Sequence, residues 1–433
     1  MSATTASPLP SEKAAPGRLY LTVLIAVLSV GLFLRLPAYI FRGDAAPLHF
    51  AEAIHLQPMF SGIGFDEALY RNYLNGLIHE GLGNYCFVVD RYIDVQKGLP
   101  GSILPPVRFL FIFAGYVWHL LFRSEALVAL HNVASLFSIL TLLLSAFFAW
   151  RLKGPAFALG VAALMTFAPT QLHMSQHALV DGFFTFWALL VLFLLWENLQ
   201  APGKPSLAAT YLVTLSCLIV TKENSFFVWV ALLTIILSNR WLKFGTVTKE
   251  LWLATFLGPL LGVVILICLA GGLTTLIATY QLSVSKNYTL AFAILTGDGP
   301  WHRYLVDLFL VSPIIVILAA TTIVRLDRTR KPELFLTLFI AASYIVMCNV
   351  KYGMNLRYAN MWDMPLRFLA VSQLLLLCSA MIRHRTTIVA LSIALLCAYE
   401  FRQSVILLAR YPMHELVTDG LLRSQHIIKG PAR

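Results

Sequence analysis

The sequence predicts an all-α polytopic membrane protein. Three observations predict it. Of 433 residues, 59% are hydrophobic and 12% are charged, whereas a soluble domain carries about 25% charged residues. The apolar residues gather into runs such as Leu127 to Trp150, Leu179 to Trp196 and Trp252 to Ala270. Each is near the roughly 20 residues that carry a helix across a bilayer. The runs are continuous rather than alternating, which excludes the strands of a membrane barrel.

Taken in order, residues 1–18 are rich in Ala, Ser, Thr and Pro and read as a disordered tail. The first apolar run ends in Arg35-Leu36-Pro37 rather than a small-residue cleavage site, so it reads as a retained anchor. Candidate spans follow at 19–40, 126–150, 155–170, 179–198, 207–221, 224–239, 250–271, 303–324, 332–349, 364–382 and 386–409, about 11 crossings in all. The short loops alternate in basic content. Lys13/Arg18, Arg151/Lys153, Lys204, Arg240/Lys243/Lys249, Arg325 to Lys331 and Arg383/Arg385 fall on one side. The positive-inside rule makes that side cytoplasmic, with the N-terminus inside and the C-terminus outside. Counting 104–122 as a span would invert every later loop. It is therefore expected to be a helix on the outer surface, with Arg108, His119 and Arg123 near water. The integral domain is then 19–409, with a large first outer loop at 41–125 carrying surface helices and a short outer tail at 410–433. The formal charge of +11 is spread through these loops rather than grouped on one face, which argues against a nucleic-acid partner. Five of the six cysteines sit inside apolar runs, so no disulfide framework is expected.

Under this topology the unusual polar residues collect on the outer side. Asp66-Glu67 opens a helical pattern with Phe65, Leu69, Tyr73 and Leu77 on one face. His173, His177 and Asp181 flank the mouth between the third and fourth spans. Lys222 interrupts an apolar hairpin, and Lys351, Arg357, Tyr358 and Asp363 fill a later loop. Each has a plainer reading. Acidic residues at a helix start are favoured by capping and the helix dipole, two histidines without further ligands are weak evidence for metal, and basic residues at helix ends snorkel. Together, though, a carboxylate pair and scattered cations beside a membrane suit a reaction between a lipid phosphate and a second substrate. If the donor is a sugar on a polyprenyl phosphate, the departing phosphate needs cations rather than a general acid. The attacking hydroxyl needs one carboxylate base.

Leu34-Arg35-Leu36, Asp66-Glu67-Ala68, Leu104-Pro105-Pro106, Arg151 to Gly154, Ser175 to Asp181, Thr221-Lys222, Gly299 to Tyr304 with Pro313, and Leu356-Arg357-Tyr358 before Pro365 occur in a distinctive order. In that order the chain resembles the GT-C-fold glycosyltransferases related to dolichyl-phosphate-mannose protein mannosyltransferases and aminoarabinose lipid A transferases. The resemblance covers roughly residues 19–380. It implies a GT-C-like bundle, a polyprenyl-phosphate sugar donor, a glycan, lipid or protein acceptor, and a bacterial inner membrane with the active site facing outward. It also implies that Asp66 is the general base, supported by Glu67. Lys222, Arg357 and His177 would meet the donor phosphate, with Asp181 and Tyr358 in support. A divalent metal ion, where one is used, would be held by Asp66 and Glu67. His177 stands where the family usually has Arg, His131 where an Arg commonly begins the second span, and Leu104 where His is usual. These departures point to a specialised substrate. The rival readings are a transporter or flippase of lipid-linked sugars, which needs a continuous polar path, and a non-catalytic membrane scaffold.

Overall fold

The computed structural model describes residues 17–101, 103–351, 353–380 and 384–429, so residues 1–16 of the expected tail lie outside the described residues. The described chain is helical throughout, with no strand among the described residues. The expected spans fall on α1 (Arg18–Arg35), and, beyond three helices α2 (Phe65–Glu80), α3 (Tyr85–Gly98) and α4 (Phe109–Phe122), on α5 (Ala126–Lys153), α6 (Pro155–Thr166) with α7 (Pro169–Ser175), and α8 (Val180–Gln200). They continue through α9 (Pro205–Thr221), α10 (Ser225–Leu242) and α11 (Lys249–Leu269). After α12 (Leu273–Asn287) and α13 (Ala291–Gly297) come α14 (Arg303–Val311) with α15 (Pro313–Val324), α16 (Lys331–Met347), α17 (Asp363–Leu377) and α18 (Arg385–Val405); α19 (Thr418–Ser424) ends the fold. Among the described residues, six helices are long and apolar enough to cross a membrane alone: α1, α5, α8, α10, α11 and α18 with the π turn that extends it to Arg410. The bent pair α6–α7 makes a seventh candidate. The other expected spans are shorter helices; α9, at 17 residues, reaches about 25 Å.

The break between α6 and α7 follows from sequence. Pro169 cannot continue a helix but suits a helix start, so α7 begins there after a 58° bend. The bend frees carbonyls that no water would reach in the bundle. Arg35, fully buried at the end of α1, takes them: Nη2 donates to the Met165 carbonyl (2.7 Å) and Nη1 to that of Thr166 (3.2 Å), while Nε donates to Ser138 Oγ (3.1 Å). Gly31 lets α1 come this close, because a Cβ there would lie 2.4 Å from Leu142 Cδ2 and 2.8 Å from Thr166 Oγ1. Small residues do the same between α9 and α11. Gly258 and Gly262 face α9, and Ser216 Oγ donates to the Gly258 carbonyl (2.8 Å).

Within the stretch 104–122, Phe109–Phe122 form α4, which packs on α2 and α5. Arg108, expected near water, is buried instead. Its guanidinium pairs with Glu223 and donates to the Tyr70 hydroxyl (2.8 Å). The local pattern gave Arg108 no acid; the partner arrives from a turn 115 residues away.

Charge also lies inside the bundle. Arg367, on α17, donates to Asp363 (2.8 Å) and Glu400 (2.6 Å), and Asp363 accepts from Thr170 Oγ1 (2.8 Å) and Gln171 Nε2 (2.9 Å). This network ties α17 to α18 and α7. Removing one partner of a buried pair strands the other charges at a cost of about 3–5 kcal/mol. Arg367→Met is therefore expected to lower the unfolding temperature in detergent markedly, and adding Asp363→Asn and Glu400→Gln is expected to recover much of the loss. Thermal unfolding of the purified variants measures both.

The segment after α18 folds back over the bundle end rather than trailing from it. Leu416 and Leu421 are fully buried, and the Leu356 N–H donates to the Leu416 carbonyl (3.2 Å).

Candidate active site

Three helix ends and a 3-10 turn converge at one end of the bundle. Asp66 and Glu67 occupy the first turn of α2, where the helix dipole favours anions. Asp181 sits in the first turn of α8, and Lys222 caps the end of α9. Arg357 enters on a 3-10 turn, Leu356–Trp362, started by Asn355, whose side chain accepts from the Arg357 N–H (3.1 Å).

Arg357 is the hub. Its Nη2 donates to Asp66 Oδ2 (2.6 Å), its Nη1 lies 3.0 Å from Glu415 Oε1, and its Nε lies 3.5 Å from Asp181 Oδ2. Burial works against its charge, yet Glu415, Asp66 and Asp181 hold Arg357 well above its ordinary value. Lys222 pairs with Asp181 and places its ammonium 4.0 Å from the centre of the Tyr358 ring, a cation–π contact that helps hold a desolvated charge. The neighbouring Glu223 turns the other way, to Arg108. Asp181 is sealed, its side chain 4% exposed, whereas Asp66 (16%) and Glu415 (26%) are open to a reactant. Burial, then Asp66 and Asp181, raise the Glu415 carboxyl above the ordinary carboxylate range against the pull of Arg357.

Glu67 forms a second node. Oε2 accepts the Gly64 N–H (2.7 Å), closing the helix start, and Oε1 accepts the Ala178 N–H (2.8 Å). His177 Nδ1 lies 3.2 Å and His131 Nε2 3.6 Å from the same oxygen. Burial favours the neutral acid, but the hydrogen bond and charge of His177, then His131 and the Gly64 N–H, hold the Glu67 carboxyl well below its usual range. Phe60 covers this node, with its ring 4.3 Å from that of His177 and 5.1 Å from that of His414. Beside it a cleft of about 290 Å³ is lined by Tyr39, Arg42, Pro58, Phe60, His131 and Gln176 among others.

The structure thus brings Asp66, Asp181, Lys222, Arg357 and Tyr358 into one cluster. It places Glu67 and His177 in the adjoining one. His177 faces Glu67, and the ion pairs of Arg357 do not include it. Among the described residues, the group able to hold a metal ion is Glu67, His177 and His414, whose ligand atoms lie within 4.8 Å of one another. Asp66 is turned to Arg357 instead. Sequence reasoning missed His414 and Glu415. The signal available was an acid beside a histidine ahead of an apolar pair, Leu416 and Leu421, in a segment read as a tail.

No family model matches the sequence, and none of the curated proteins does. Solved structures do match. ArnT from Cupriavidus metallidurans bound to undecaprenyl phosphate aligns at a TM-score of 0.52 and 14% identity, over 94% of this chain and 76% of that one. The Archaeoglobus fulgidus oligosaccharyltransferase in its apo form aligns at 0.61 and 14% identity, over 89% of this chain and 55% of that one. The same oligosaccharyltransferase in complex with Zn and sulfate aligns at 0.57. This chain spans about half the length of the oligosaccharyltransferase. At such identity the likeness is one of fold: the chain has the GT-C membrane fold that its motifs resemble.

Proposed function

We propose that this protein transfers a sugar from a polyprenyl-phosphate-linked donor to an acceptor hydroxyl, with inversion, at the outer face of a bacterial inner membrane. The observation that carries the reading is Asp66, a partly open carboxylate at a helix start, held at 2.6 Å by an arginine beside a buried lysine. The fold it shares with ArnT bound to undecaprenyl phosphate supports the lipid donor. Basic loops at the opposite helix ends support the outward placement, with residues 1–18 cytoplasmic and 410–433 outside.

Asp66 takes the proton of the acceptor hydroxyl as its oxygen bonds to the anomeric carbon. The bond from that carbon to the phosphate oxygen breaks on the opposite face, and the phosphate leaves with the electron pair. A single displacement inverts the anomeric centre. The leaving phosphate carries its charge away without protonation, so cations serve it better than an acid. Arg357 and Lys222 are the cations at hand, and a phosphate reaching Arg357 would compete with Asp66 for the guanidinium. That competition frees the base when donor is bound. Tyr358 and Asp181 position the two cations. His177, one node away, holds Glu67, whose other oxygen closes the helix start that carries Asp66.

Purified protein incubated with a defined polyprenyl-phosphate sugar and a cell-envelope acceptor fraction tests the stereochemistry, through the anomeric configuration of the product. Retention would exclude a single displacement. Lys222→Ala is expected to raise the KM for donor at least tenfold with little change for acceptor, since a charge-assisted contact is worth about 1.5–3 kcal/mol. Equal losses toward both substrates would remove Lys222 from phosphate binding.

A further inference from the structure

We propose that the cleft between α13 with the start of α14 and α19 is a carbohydrate subsite, holding one sugar residue of a glycan acceptor beside the transfer centre. The inference deepens the glycosyl-transfer reading and rests on it for the ligand's role as acceptor, not for its binding. Three observations carry it. First, the cleft is of ligand size, about 410 Å³, within the roughly 300–1,000 Å³ of small-molecule sites. Its lining mixes apolar walls with hydrogen-bond acceptors: Leu295, Val306 and Val417 stand among Asp298, Thr418 and Asp419. Trp301, 63% exposed, lies between two residues of the lining, Pro300 and His302. A sugar ring has the same double character. Its C–H faces pack on apolar and aromatic walls while its hydroxyls donate to carboxylates.

Second, the polar groups left over in the cleft are acceptors. The guanidinium of Arg303, 6% exposed, is spent on joining the two walls. Its Nε donates to Thr418 Oγ1 (2.9 Å), and its two terminal nitrogens donate to the carbonyls of Asp298 and Thr296. Asp307, one turn further along α14, is 1% exposed, and neither of its carboxylate oxygens has a hydrogen-bond donor. Arg303 Nε lies 3.8 Å from Asp307 Oδ2, too far for a bond. A buried carboxylate without donors costs free energy that a ligand's hydroxyls would offset. A phosphate has no donors to give, and Asp298, Asp307 and Asp419 would repel it. Third, both walls are bonded to the loop that carries Arg357. The Gly297 carbonyl accepts the Met354 N–H (2.9 Å), and the Leu416 carbonyl accepts the Leu356 N–H (3.2 Å). Glu415, two residues before Val417, lies against Arg357 itself. A glycan of two or more residues thus leaves one residue in the cleft while the next presents its hydroxyl toward Asp66.

The test uses the full-length protein in phosphatidylcholine nanodiscs, so that no detergent or lipid sugar competes. The probes are glycans released from a bacterial cell-envelope fraction, mixed with di- and trisaccharides of glucose, galactose, mannose and N-acetylglucosamine. Retained glycans are identified by mass spectrometry and then titrated singly. Wild type is expected to retain a glycan of two or more residues. Val306→Trp, which fills the cleft, and Asp298→Ala, which removes an acceptor, are each expected to weaken that binding about tenfold or more. Both positions are exposed, so both variants are expected to fold. Asp66→Asn is expected to bind like wild type. No glycan retained by folded wild type overturns the proposal, as does retention undiminished in both cleft variants or displaced by inorganic phosphate. Glycan bound by a protein that transfers no sugar would sink the glycosyltransferase reading alone. Transfer at the wild-type rate and acceptor KM by Val306→Trp would overturn the acceptor role and leave that reading standing.

Discussion

Asp66→Asn is expected to lower sugar transfer by roughly 10²–10⁴-fold, the contribution of a positioned general base, while leaving membrane insertion and thermal stability near wild type. Asparagine keeps the shape and can still accept a hydrogen bond from Arg357, but it cannot take a proton. Stability is little affected because Arg357 retains Asp181 and Glu415 as counter-charges. Glu415 is the other open carboxylate of the cluster, and burial raises its pKa, so it supplies the necessary comparison. Glu415→Gln is expected to cost far less, because its carboxylate is also held by Asn355 Nδ2 (2.5 Å) and serves to hold Arg357. If Glu415→Gln abolished transfer and Asp66→Asn did not, the base would be Glu415.

The second large effect is expected at Arg357. Arg357→Ala would leave Asp66, Asp181 and Glu415 around an empty centre with only Lys222 for balance, and breaking a buried pair costs about 3–5 kcal/mol. Both stability and transfer should fall. Arg357→Lys separates the two effects. It keeps the charge but loses the planar fork that reaches three carboxylates at once. The lysine variant should recover most of the unfolding temperature and little of the transfer rate. Full recovery of both would mean that only charge matters at this position.

Most of the helical framework is legible in the sequence, because apolar runs near bilayer length leave few alternatives to a helix. The α6–α7 break is also written there, in Pro169. The expectation that α4 lies on the outer surface rests on charge alternation along the whole chain rather than on its own residues. Lys222 stands out because it interrupts an apolar hairpin, Asp66 because with Glu67 it opens a helical pattern, and Arg357 because it is a cation in a loop on the side poor in basic residues. What was not legible is pairing between distant segments. Arg108 reads as a surface cation until Glu223 meets it. Arg367 and Glu400 read as isolated polar residues until α17 and α18 pack together. His414 and Glu415 lie in a segment whose periodicity is too short to announce a fold, and only its return over Leu356 brings them to Arg357 and His177. Local pattern identifies which residues are unusual; tertiary contact decides what they do.

The most direct test is transfer of a radiolabelled sugar from a total polyprenyl-phosphate-sugar pool to a cell-envelope fraction, with wild type and Asp66→Asn side by side. Label moving to the acceptor with wild type alone is the expected result, and the labelled product identifies the acceptor. No transfer by folded wild type, with the same donor pool active for a control glycosyltransferase, would contradict the account and leave a lipid-linked-sugar transporter or a non-catalytic scaffold on the same fold.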